Sequence, residues 1–452
     1  MESAQAGRPR RGDTLELRID RLAYGGAGVA RTDGYVVFVR DAVPGDRVRA
    51  RVTRSRRSFA EADSIELLEP SAERVEPAAP HPGAPWQVLP YERQIREKET
   101  QVRDALERLG GFERPPVDPM LPAEQRLRYR NKLEYSFGTD EAGGLVLGFH
   151  RRGRFDLIDD VSRDVLASER VDELREVVKA WCRDEGLSAW DRRAQSGFLR
   201  NLVVREGRRT AQLQARVVTS PGVTFRAAQL AARTPAESVL WTRAASVAET
   251  TREGVTEPVK GPLAIEERLC GLTFRISPDA FFQTNTEMAE RLYGAAVELA
   301  GLTGRERVVD LFCGIGTIAL TLALDAGEVW GLELVADAVA DAIENARLNG
   351  IDNVHFFAGD VRHAMRPLLE RVGRADVVVV DPPRAGLSQK VVRRVLEAGA
   401  RRIVYVSCNP TTLAPNARQM VDAGYELNTV RPVDMFPQTP HIECVALLER
   451  ES

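Results

Sequence analysis

The chain has 452 residues, enough for two or three domains and for at least one fully buried core. Hydrophobic residues make up 43% of it and charged residues 29%, with a formal net charge of −3, a composition typical of globular proteins that argues against extended disorder. No apolar run approaches the roughly 18 residues of a membrane span, and the N-terminal sequence MESAQAGRPRRGD lacks the apolar core of a signal peptide, so we expect a soluble, cytoplasmic protein.

The cysteines argue against a disulfide framework and against a structural zinc site. There are five, an odd number, and no two of them form a C-x-x-C pair. We therefore expect no metal site. The cysteines are Cys182, Cys270, Cys313, Cys408 and Cys444.

Residues 1–70 are predicted to form a small β-barrel. Short β-rich runs are separated by glycine-containing turns, and arginines outnumber acidic residues although the whole chain is acidic. With the aromatic residues Tyr24, Tyr35 and Phe38, these arginines could form a surface that holds RNA; a solvated basic rim explains them equally well. The runs are Leu15–Ile19, Tyr35–Val39 and Arg47–Val52.

Residues 71–275 are predicted to hold a linker, a helix and a mixed α and β domain. Prolines are frequent from Glu69 to Pro90, which indicates a linker or an irregular connection, and apolar spacing predicts a helix over Glu92–Leu109. Further on, basic and aromatic residues alternate as in a strand, and the basic segment His150–Arg154 follows another strand. These residues suit either a single-stranded RNA surface or a plain exposed strand face. The alternating residues are Tyr129, Arg130, Lys132, Tyr135 and Phe137.

Residues 276–452 are predicted to form a doubly wound, Rossmann-like α/β domain. Apolar strand-like runs alternate with helical patterns such as Ala336–Asn349 and Gln389–Ala398, which is typical of a parallel sheet. The last two runs, Tyr425–Val433 and Ile442–Leu448, have no helix between them and are predicted to close the sheet as an antiparallel hairpin. The earlier runs are Arg307–Leu311, Gly327–Leu332, Val354–Phe357, Ala375–Val380 and Arg402–Val406.

The first strand of this domain is followed by DLFCGIGTIAL, a glycine-bearing turn that opens a helix. Gly314 and Gly316 let the backbone approach a ligand at the helix start, although a tight turn alone also needs glycine. Glu333 ends the next strand, where a carboxylate can accept both hydroxyls of a ribose, and Asp360 follows the third strand. A single Gly-x-Gly without a third glycine favours a mononucleotide-like cofactor over a dinucleotide, and S-adenosylmethionine fits best.

The fourth and fifth strands each end in a residue that can carry chemistry. Asp381 follows the fourth strand in VVVVDPPRAG, where a carboxylate points into the ligand crevice; a structural Pro-Pro turn would not explain the aspartate. Cys408 follows the fifth strand in YVSCNPTTLA, and we expect the helix start beside it to lower the pKa of the thiol and make it a nucleophile, although a cysteine here is often a buried filler. We expect Thr411 or Thr412 to cap this helix and Pro415 to fall within its first turn.

The closing hairpin carries one carboxylate in an otherwise apolar strand. In FPQTPHIECVALLE, Glu443 shares a face with His441, and Cys444 points the other way, toward the core. Such a carboxylate either makes a fold contact or acts as a base whose pKa burial has raised.

Taken in order, these motifs closely resemble the RNA uracil-5 methyltransferase family, whose members make 5-methyluridine in tRNA or rRNA. The resemblance covers nearly the whole chain. The N-terminal barrel is similar to a TRAM domain, an OB-like RNA-binding module that family members acting on 23S rRNA often carry. The motifs are FFQTN (residues 281–285), DLFCGIGT, VWGLE, VVDPPRAGL, SCNPTTLA and FPQTPHIE.

The resemblance implies a class I methyltransferase that uses S-adenosylmethionine to methylate RNA. It implies Cys408 as the nucleophile and Glu443 as the base. The TRAM-like barrel favours 23S rRNA, with tRNA as the alternative, and we expect a monomer. Contacts with S-adenosylmethionine or the target base are implied for Gln283, Phe312, Glu333 and Asp381, with Asp360 as a further contact.

One segment departs from the family. Many relatives bind a four-iron cluster through three cysteines just before a W-Q-x-L-x-Y segment and a fourth after a strand. Here the two segments read AAPHPGAPWQVLPYERQ and LIDDVSRDVL, and neither contains a cysteine. We therefore expect no iron–sulfur cluster.

Three other functions stay open at this stage. RNA cytosine-5 methyltransferases also place a thiolate at this edge of the sheet, but they carry a second cysteine where this chain has Pro382-Pro383-Arg384. Amino-group N-methyltransferases often share the D-P-P motif but have no use for Cys408. A non-catalytic RNA-binding factor would need neither Cys408 nor Glu443.

Overall fold

A computed structural model describes residues 8–151, 153–246, 251 and 254–450, so residues 1–7 of the N-terminal sequence quoted above lie outside it. The described chain forms a six-stranded sheet, a seven-stranded sheet, a two-stranded hairpin and a second seven-stranded sheet. This order agrees with the predicted barrel, mixed domain and doubly wound domain. The boundaries at residues 70 and 275 stay predictions. No helix in this described part is long and apolar enough to cross a lipid bilayer.

The N-terminal sheet has the strand order β1-β5-β6-β4-β3-β2 and surrounds its own apolar core. Its strands form because buried and outward residues alternate: Val48, Ala50 and Val52 are buried while their neighbours face outward. The strands are β1 (Thr14–Arg18), β2 (Arg21–Leu22), β3 (Gly28–Thr32), β4 (Tyr35–Arg40), β5 (Arg47–Ser55) and β6 (Phe59–Glu69).

Strand β6 was not among the predicted strands. It supplies carboxylates that pair with basic residues of the barrel. Its carboxylates face the arginines of β5 across the antiparallel pair: Arg47 lies 2.6 Å from Glu69, and Arg49 contacts Glu66. Both arginines also share Glu16 of β1. On this face, the arginine excess is therefore neutralised within the barrel itself.

Residues 70–90 form an irregular connection that is held by contacts with the barrel and with residues of the C-terminal domain. The guanidinium group of Arg74 donates to both carboxyl oxygens of the buried Asp46 at 2.8 Å. A short 3₁₀ helix, Pro85–Val88, buries the side chain of Trp86. The connection leads directly into helix α1 (Tyr91–Arg108), which agrees with the predicted helix within one residue at each end.

The central sheet has the order β13-β12-β11-β10-β7-β8-β9 and is antiparallel except for the β11–β12 pair. Helices α2 (Glu169–Asp184) and α3 (Ala227–Arg233) contribute to its core. The strands are β7 (Lys132–Thr139), β8 (Leu145–Arg151), β9 (Arg154–Asp160), β10 (Leu199–Gly207), β11 (Gln212–Thr219), β12 (Ser238–Arg243) and β13 (Val255–Lys260).

The aromatic residues at β7 belong to the protein interior. Tyr129 and Tyr135 are fully buried and Phe137 is nearly so, and the hydroxyl of Tyr135 donates to Asp164 at 2.8 Å. Both expectations for these aromatic residues, an RNA surface and an exposed strand face, are wrong: the alternation of β7 turns Tyr135 and Phe137 inward, and Tyr129, which precedes β7, donates to the carbonyl of Pro437.

In the basic segment, His150 and Arg151 end β8 and Arg154 begins β9. Arg151 lies 2.7 Å from Asp159, and Arg154 lies 3.0 Å from Asp156. Arg152 lies outside the described residues. Because both pairs are exposed, they contribute little to stability.

The C-terminal sheet has the order β18-β17-β16-β19-β20-β22-β21. Neighbouring strands are parallel except at β22, which runs antiparallel between β20 and β21, as the predicted closing hairpin requires. The strands are β16 (Arg307–Leu311), β17 (Glu328–Glu333), β18 (Val354–Ala358), β19 (Val377–Val380), β20 (Arg402–Ser407), β21 (Glu426–Val433) and β22 (Glu443–Glu449). The helices are α4 (Thr286–Ala300), α5 (Thr317–Ala323), α6 (Ala336–Leu348), α7 (Val361–Val372), α8 (Gln389–Glu397) and α9 (Pro410–Asp422).

Two elements that precede residue 276 pack against this C-terminal domain. Helix α1 contributes Val102 and Leu106 to its core. The hairpin of β14 (Ile265–Leu269) and β15 (Leu272–Ile276) contributes Phe274 to the core on the other face of the sheet.

The loop between β21 and β22, residues 434–442, is called the junction loop below. Its first residue, Asp434, is buried and lies 2.5 Å from the buried ammonium group of Lys98 on α1. Lys98 also donates to the carbonyl of Phe436 at 3.0 Å, and the hydroxyl of Tyr91 donates to Asp434 at 2.8 Å. Helix α1 therefore holds the loop that leads into Glu443.

We expect Lys98→Met to lower the free energy of unfolding by about 3–5 kcal/mol, because it leaves the Asp434 carboxylate buried without its cation. The double variant Lys98→Met/Asp434→Asn should recover most of this loss. Arg108→Met, which removes an exposed pair with Asp104 on the same helix, should cost less than about 1 kcal/mol. Urea unfolding of the four proteins measures these differences; equal losses in the two single variants would contradict the assignment.

Candidate active site

The carboxyl ends of β16, β17, β19 and β20 lie at one edge of the sheet because these strands are parallel. Phe312, Glu333, Asp381 and Cys408 stand at or directly after these ends. Strand β22 runs the opposite way, so its first residue, Glu443, lies at the same edge. The topology thus brings these five sequence-predicted residues to one crevice.

The loop after β16 folds over the side chain of Glu333. The backbone N–H of Gly314 donates to Oε2 of Glu333 at 3.2 Å, and that of Val335 donates to Oε1 at 2.9 Å. Gly314 has a φ of 54°, and a side chain there would meet only open space. Phe312 has a φ of 66°, a conformation uncommon for a bulky residue and often found at functional sites. The loop leaves an open cradle beside a carboxylate.

Asp310 lies beneath this cradle, and both of its carboxyl oxygens are buried without a hydrogen-bond partner among the described residues. Burial, and then the charge of Asp381, raise its pKa well above the ordinary value. A buried polar group without a partner is costly, which makes this one a candidate for a ligand contact. The cradle, the unpartnered carboxyl group and Glu333 fit the amino-acid and ribose groups of S-adenosylmethionine.

Gly316 and Gln283 also border this region. A Cβ atom on Gly316 would lie 2.9 Å from the Phe356 ring, so glycine is required here for packing. Gln283 is buried, and its backbone carbonyl accepts from the amide of Asn131 at 2.9 Å. Its side-chain amide makes no hydrogen bond within the described part of the chain, which leaves it available to a ligand.

Asp360 is already engaged by its neighbours. It caps helix α7 by accepting from the backbone N–H of Arg362 at 2.8 Å, and it pairs with the Arg362 guanidinium group. The hydrogen bond from the Arg362 side chain lowers the pKa of Asp360 to about 2. Its contact with the cofactor stays a prediction.

Cys408 and Glu443 are opposite neighbours. Ser407 pairs with Cys444 in the register of β20 and β22, so the next position toward the edge places Cys408 against Glu443. The thiol is half-buried and the carboxyl group of Glu443 is buried. Cys444 is fully buried, in agreement with its predicted place in the core.

The thiol is not acidified as expected. Burial, and then the Glu443 and Asp381 charges, raise the pKa of Cys408 to about 11, while Arg384 opposes this rise. Burial and the charge of Asp381 likewise raise the pKa of Glu443 well above its ordinary value. The expectation of a lowered thiol pKa is therefore wrong, because loss of water and the nearby carboxyl groups raise it.

The helix after Cys408 also begins differently from the expectation. Asn409, not Thr411 or Thr412, caps α9 by accepting from the backbone N–H of Thr411 at 3.0 Å. Pro415 lies in the helix interior, beyond the first turn, and so removes a backbone donor there.

Sequence reasoning missed the residues that join the loop after β19 to the loop after β20. The side chain of Asn409 donates to the carbonyl of Arg384 at 3.0 Å, which ties the loop after β20 to the loop after β19. Arg384 is the cation whose charge acts on both Cys408 and Glu443. Its signal in the sequence is that it is the only basic residue of VVVVDPPRAG.

Leu334 and Val335, which follow Glu333, were also missed. They are 66% and 55% exposed, an unusual state for adjacent apolar residues beside a ligand cradle. Two apolar residues directly after the acidic end of a strand would have been the signal.

His441 lies in the junction loop close to Glu443. Burial, and then the charge of Arg384, lower its pKa to about 4, so its imidazole is neutral at pH 7. Its ring contacts Phe436 edge-on, with the centroids 5.9 Å apart. His441 therefore adds no charge to the site.

The residues in the segment where relatives carry an iron–sulfur cluster do not fit such a cluster. Nε2 of His81 lies 3.0 Å from Oδ1 of Asp164, and both side chains are buried. Within the described residues, no group of three or more His, Cys, Asp or Glu side chains could hold a metal ion. An iron–sulfur cluster needs thiolates, and the lack of a cluster stays a prediction.

A doubly wound sheet with this cradle at its carboxyl edge defines the class I S-adenosylmethionine-dependent methyltransferases. A family profile described as tRNA (Uracil-5-)-methyltransferase matches residues 253–451, and a TRAM domain profile matches residues 8–65. Uncharacterized RNA methyltransferases of Chlorobaculum tepidum and Gloeobacter violaceus are 39% and 40% identical to this chain. These matches cover 98% and 97% of both chains.

Among solved structures, the chain is similar to the Pyrococcus abyssi tRNA (uracil-54, C5)-methyltransferase in complex with S-adenosyl-L-homocysteine. The TM-score is 0.79 and the identity 29%, over 96% of this chain and 100% of the other. The chain belongs to the RNA uracil-5 methyltransferase family, and its cofactor is S-adenosylmethionine. The α/β fold with its TRAM domain and methyltransferase domain is confirmed.

We expect Asp381→Asn to change how stability depends on pH. Burial raises the pKa of Asp381 to about 7. The folded protein therefore holds a proton that the unfolded chain releases above its ordinary pKa near ~4, so the wild type loses stability as the pH rises between these values. The variant lacks this loss, so its stability relative to the wild type should grow by about 4 kcal/mol from pH 4 to pH 8.

Urea unfolding at several pH values measures the difference. Asp352→Asn, at an exposed carboxylate of the same domain, serves as the control and should track the wild type. A difference for Asp381→Asn that stays constant with pH would contradict the raised pKa.

Proposed function

We propose that this protein methylates C5 of a uridine in RNA, with 23S rRNA as the favoured substrate. Cys408 forms a covalent bond to C6 of the base, and Glu443 removes the C5 proton. The observation that carries this proposal is the register of β20 and β22, which sets a thiol and a buried carboxyl group against each other at the edge where the cofactor cradle opens. Membership of the family supports the reaction class.

The thiol is needed because C5 of uracil is a poor nucleophile. When the Cys408 sulfur attacks C6, the thiol releases its proton to water, the S–C6 bond forms and the ring electrons shift to give an enolate with density at C5. S-adenosylmethionine would supply an electrophilic methyl group, whose bond to the sulfonium sulfur breaks as the bond to C5 forms. Once C5 is methylated, Glu443 takes the C5 proton, the C6–S bond breaks and the C5–C6 double bond returns.

Burial determines whether Cys408 and Glu443 hold a proton before they react. With its pKa raised to about 11, the Cys408 thiol holds its proton at neutral pH until attack. The raised pKa of Glu443 makes its ionised carboxylate a stronger base than an exposed one. Arg384 favours the ionised form of both groups.

C5 and C6 cannot be reached within a stacked helix. The target uridine must therefore leave its stack and enter the crevice, either from a loop or from a locally opened stem.

We expect Glu443→Gln to accumulate a covalent protein–RNA adduct, because the methylated intermediate cannot lose its C5 proton. Denaturing gel electrophoresis after incubation with S-adenosylmethionine and RNA from a strain lacking the gene detects the adduct. The double variant Cys408→Ala/Glu443→Gln should form none. An adduct in the double variant would show that a residue other than Cys408 is the nucleophile. Full activity of Cys408→Ala would instead support an amino-group N-methyltransferase.

The choice of RNA rests on the barrel, because the TRAM domain is typical of members that act on 23S rRNA. The second candidate is tRNA. It is favoured by the similarity to the Pyrococcus abyssi tRNA (uracil-54, C5)-methyltransferase, which aligns over nearly the whole chain.

Mass spectrometry of rRNA and tRNA from a strain that lacks the gene decides between them. We expect 5-methyluridine to disappear from one position of 23S rRNA and to return when the gene is restored. Disappearance from tRNA alone would support the second candidate. An unchanged 5-methyluridine content in both RNAs would contradict the proposal.

A further inference from the structure

The turn between β2 and β3 is a part of the barrel that contacts the methyltransferase domain beside the candidate active site. The backbone N–H of Ala23 donates to the carbonyl of Ala27 at 2.8 Å, and that of Gly26 donates to the carbonyl of Ala23 at 2.9 Å. These bonds close a tight turn with Tyr24 at its tip.

The turn is packed tightly against the junction loop. A Cβ atom on Gly26 would lie 2.9 Å from Cβ of Pro440 and 3.2 Å from the indole nitrogen of Trp86. The backbone N–H of Trp86 in turn donates to the carbonyl of Gln438 at 2.9 Å. The position of the turn is therefore set by the same loop that places Glu443.

The side chain of Tyr24 points toward the catalytic groups. It is half-buried and packs against the core of the methyltransferase domain and is not part of the core of its own barrel. The charges of Arg384, Cys408 and Glu443 all act on its hydroxyl group. Burial, as the largest effect, raises the pKa of Tyr24, so its hydroxyl stays protonated at neutral pH.

A cleft of about 940 Å³ lies between the barrel and the central domain, and Tyr24 and Pro440 are among its lining residues. Phe38 and Phe59, which are half-buried, line it as well. Aromatic side chains suit unstacked bases, so an RNA strand in this cleft would contact Tyr24.

We infer that Tyr24 positions the target uracil, so that the active site is completed by the TRAM barrel. The ring forms one wall of the base pocket, and the neutral hydroxyl group donates a hydrogen bond to the base without adding negative charge beside the Cys408 thiolate. This inference rests on the proposed function, because it takes Cys408 and Glu443 as the groups that act on the base.

A purely structural role for Tyr24 predicts a different set of results. If the ring only packed the barrel against the methyltransferase domain, its removal would lower stability and RNA affinity together. If Tyr24 holds the base, removal slows attack by Cys408 even when all the enzyme carries RNA. The hydroxyl group alone then also matters, although it adds little to packing.

The test is the rate of adduct formation at saturating RNA in the full-length Glu443→Gln protein, with S-adenosylmethionine and RNA from a strain that lacks the gene. Adding Tyr24→Phe should slow the adduct about fivefold, the effect of one lost hydrogen bond. Adding Tyr24→Ala should slow it by more than about tenfold through misplacement of the base. RNA affinity, measured by filter binding, should change by less than about threefold.

Tyr425→Phe is the matched control, because it also removes a tyrosine hydroxyl group. That hydroxyl donates to the carbonyl of Ala400 at 2.7 Å. Ala400 precedes β20, so this hydrogen bond lies at the edge of the sheet opposite to Cys408. This variant should leave the adduct rate unchanged. If Tyr24→Ala does not fold, as judged by thermal unfolding, Tyr24→Phe decides the question alone.

The two proposals fail in different ways. No adduct in Glu443→Gln with Tyr24 intact would contradict the proposed function. An adduct that forms in Glu443→Gln and is not slowed by Tyr24→Phe, or a loss of rate explained wholly by weaker RNA binding, would overturn the role of Tyr24.

Discussion

The junction loop, residues 434–442, is the point at which the parts of this protein are held together. Its buried Asp434 pairs with Lys98 of α1. The carbonyl of Met435 accepts from Asn285 at the start of α4, and that of Pro437 accepts from Tyr129 of the central domain. Pro440 packs against Gly26 in the turn between β2 and β3 of the barrel. Because Glu443 follows this loop directly, every one of these contacts bears on the position of its carboxyl group.

A buried ion pair contributes little net stability, because the loss of water offsets most of the attraction between its charges. It does penalise any arrangement that separates the two charges. The Lys98–Asp434 pair therefore acts mainly on geometry: moving the loop away from α1 would leave an unpaired charge in the interior. The crevice that holds the carboxyl groups of Asp310, Asp381 and Glu443 is therefore kept in a fixed position relative to α1.

Burial also sets the protonation of the crevice. Asp310, Asp381 and Glu443 all have raised pKa values because they have lost water, and the Cys408 thiol follows them. Arg47 and Arg49 of the barrel lie in ion pairs on the face formed by β1, β5 and β6, whereas Tyr24 lies near Arg384, Cys408 and Glu443. The barrel thus contacts the crevice through an aromatic side chain.

The sequence alone was enough to predict the doubly wound domain and the edge of its sheet. Alternating apolar runs and helices define parallel strands, and parallel strands bring the residues after each of them to one edge. It could not predict the burial of Tyr129 and Tyr135, the pairing of β6 or the raised pKa of Cys408. Solvent exposure and the nearness of Arg384, Tyr24 and Glu443 depend on contacts between residues far apart in the chain. Local pattern determines which elements form and which ends they share; only the packing of those elements decides how much water each side chain keeps and which charges it faces.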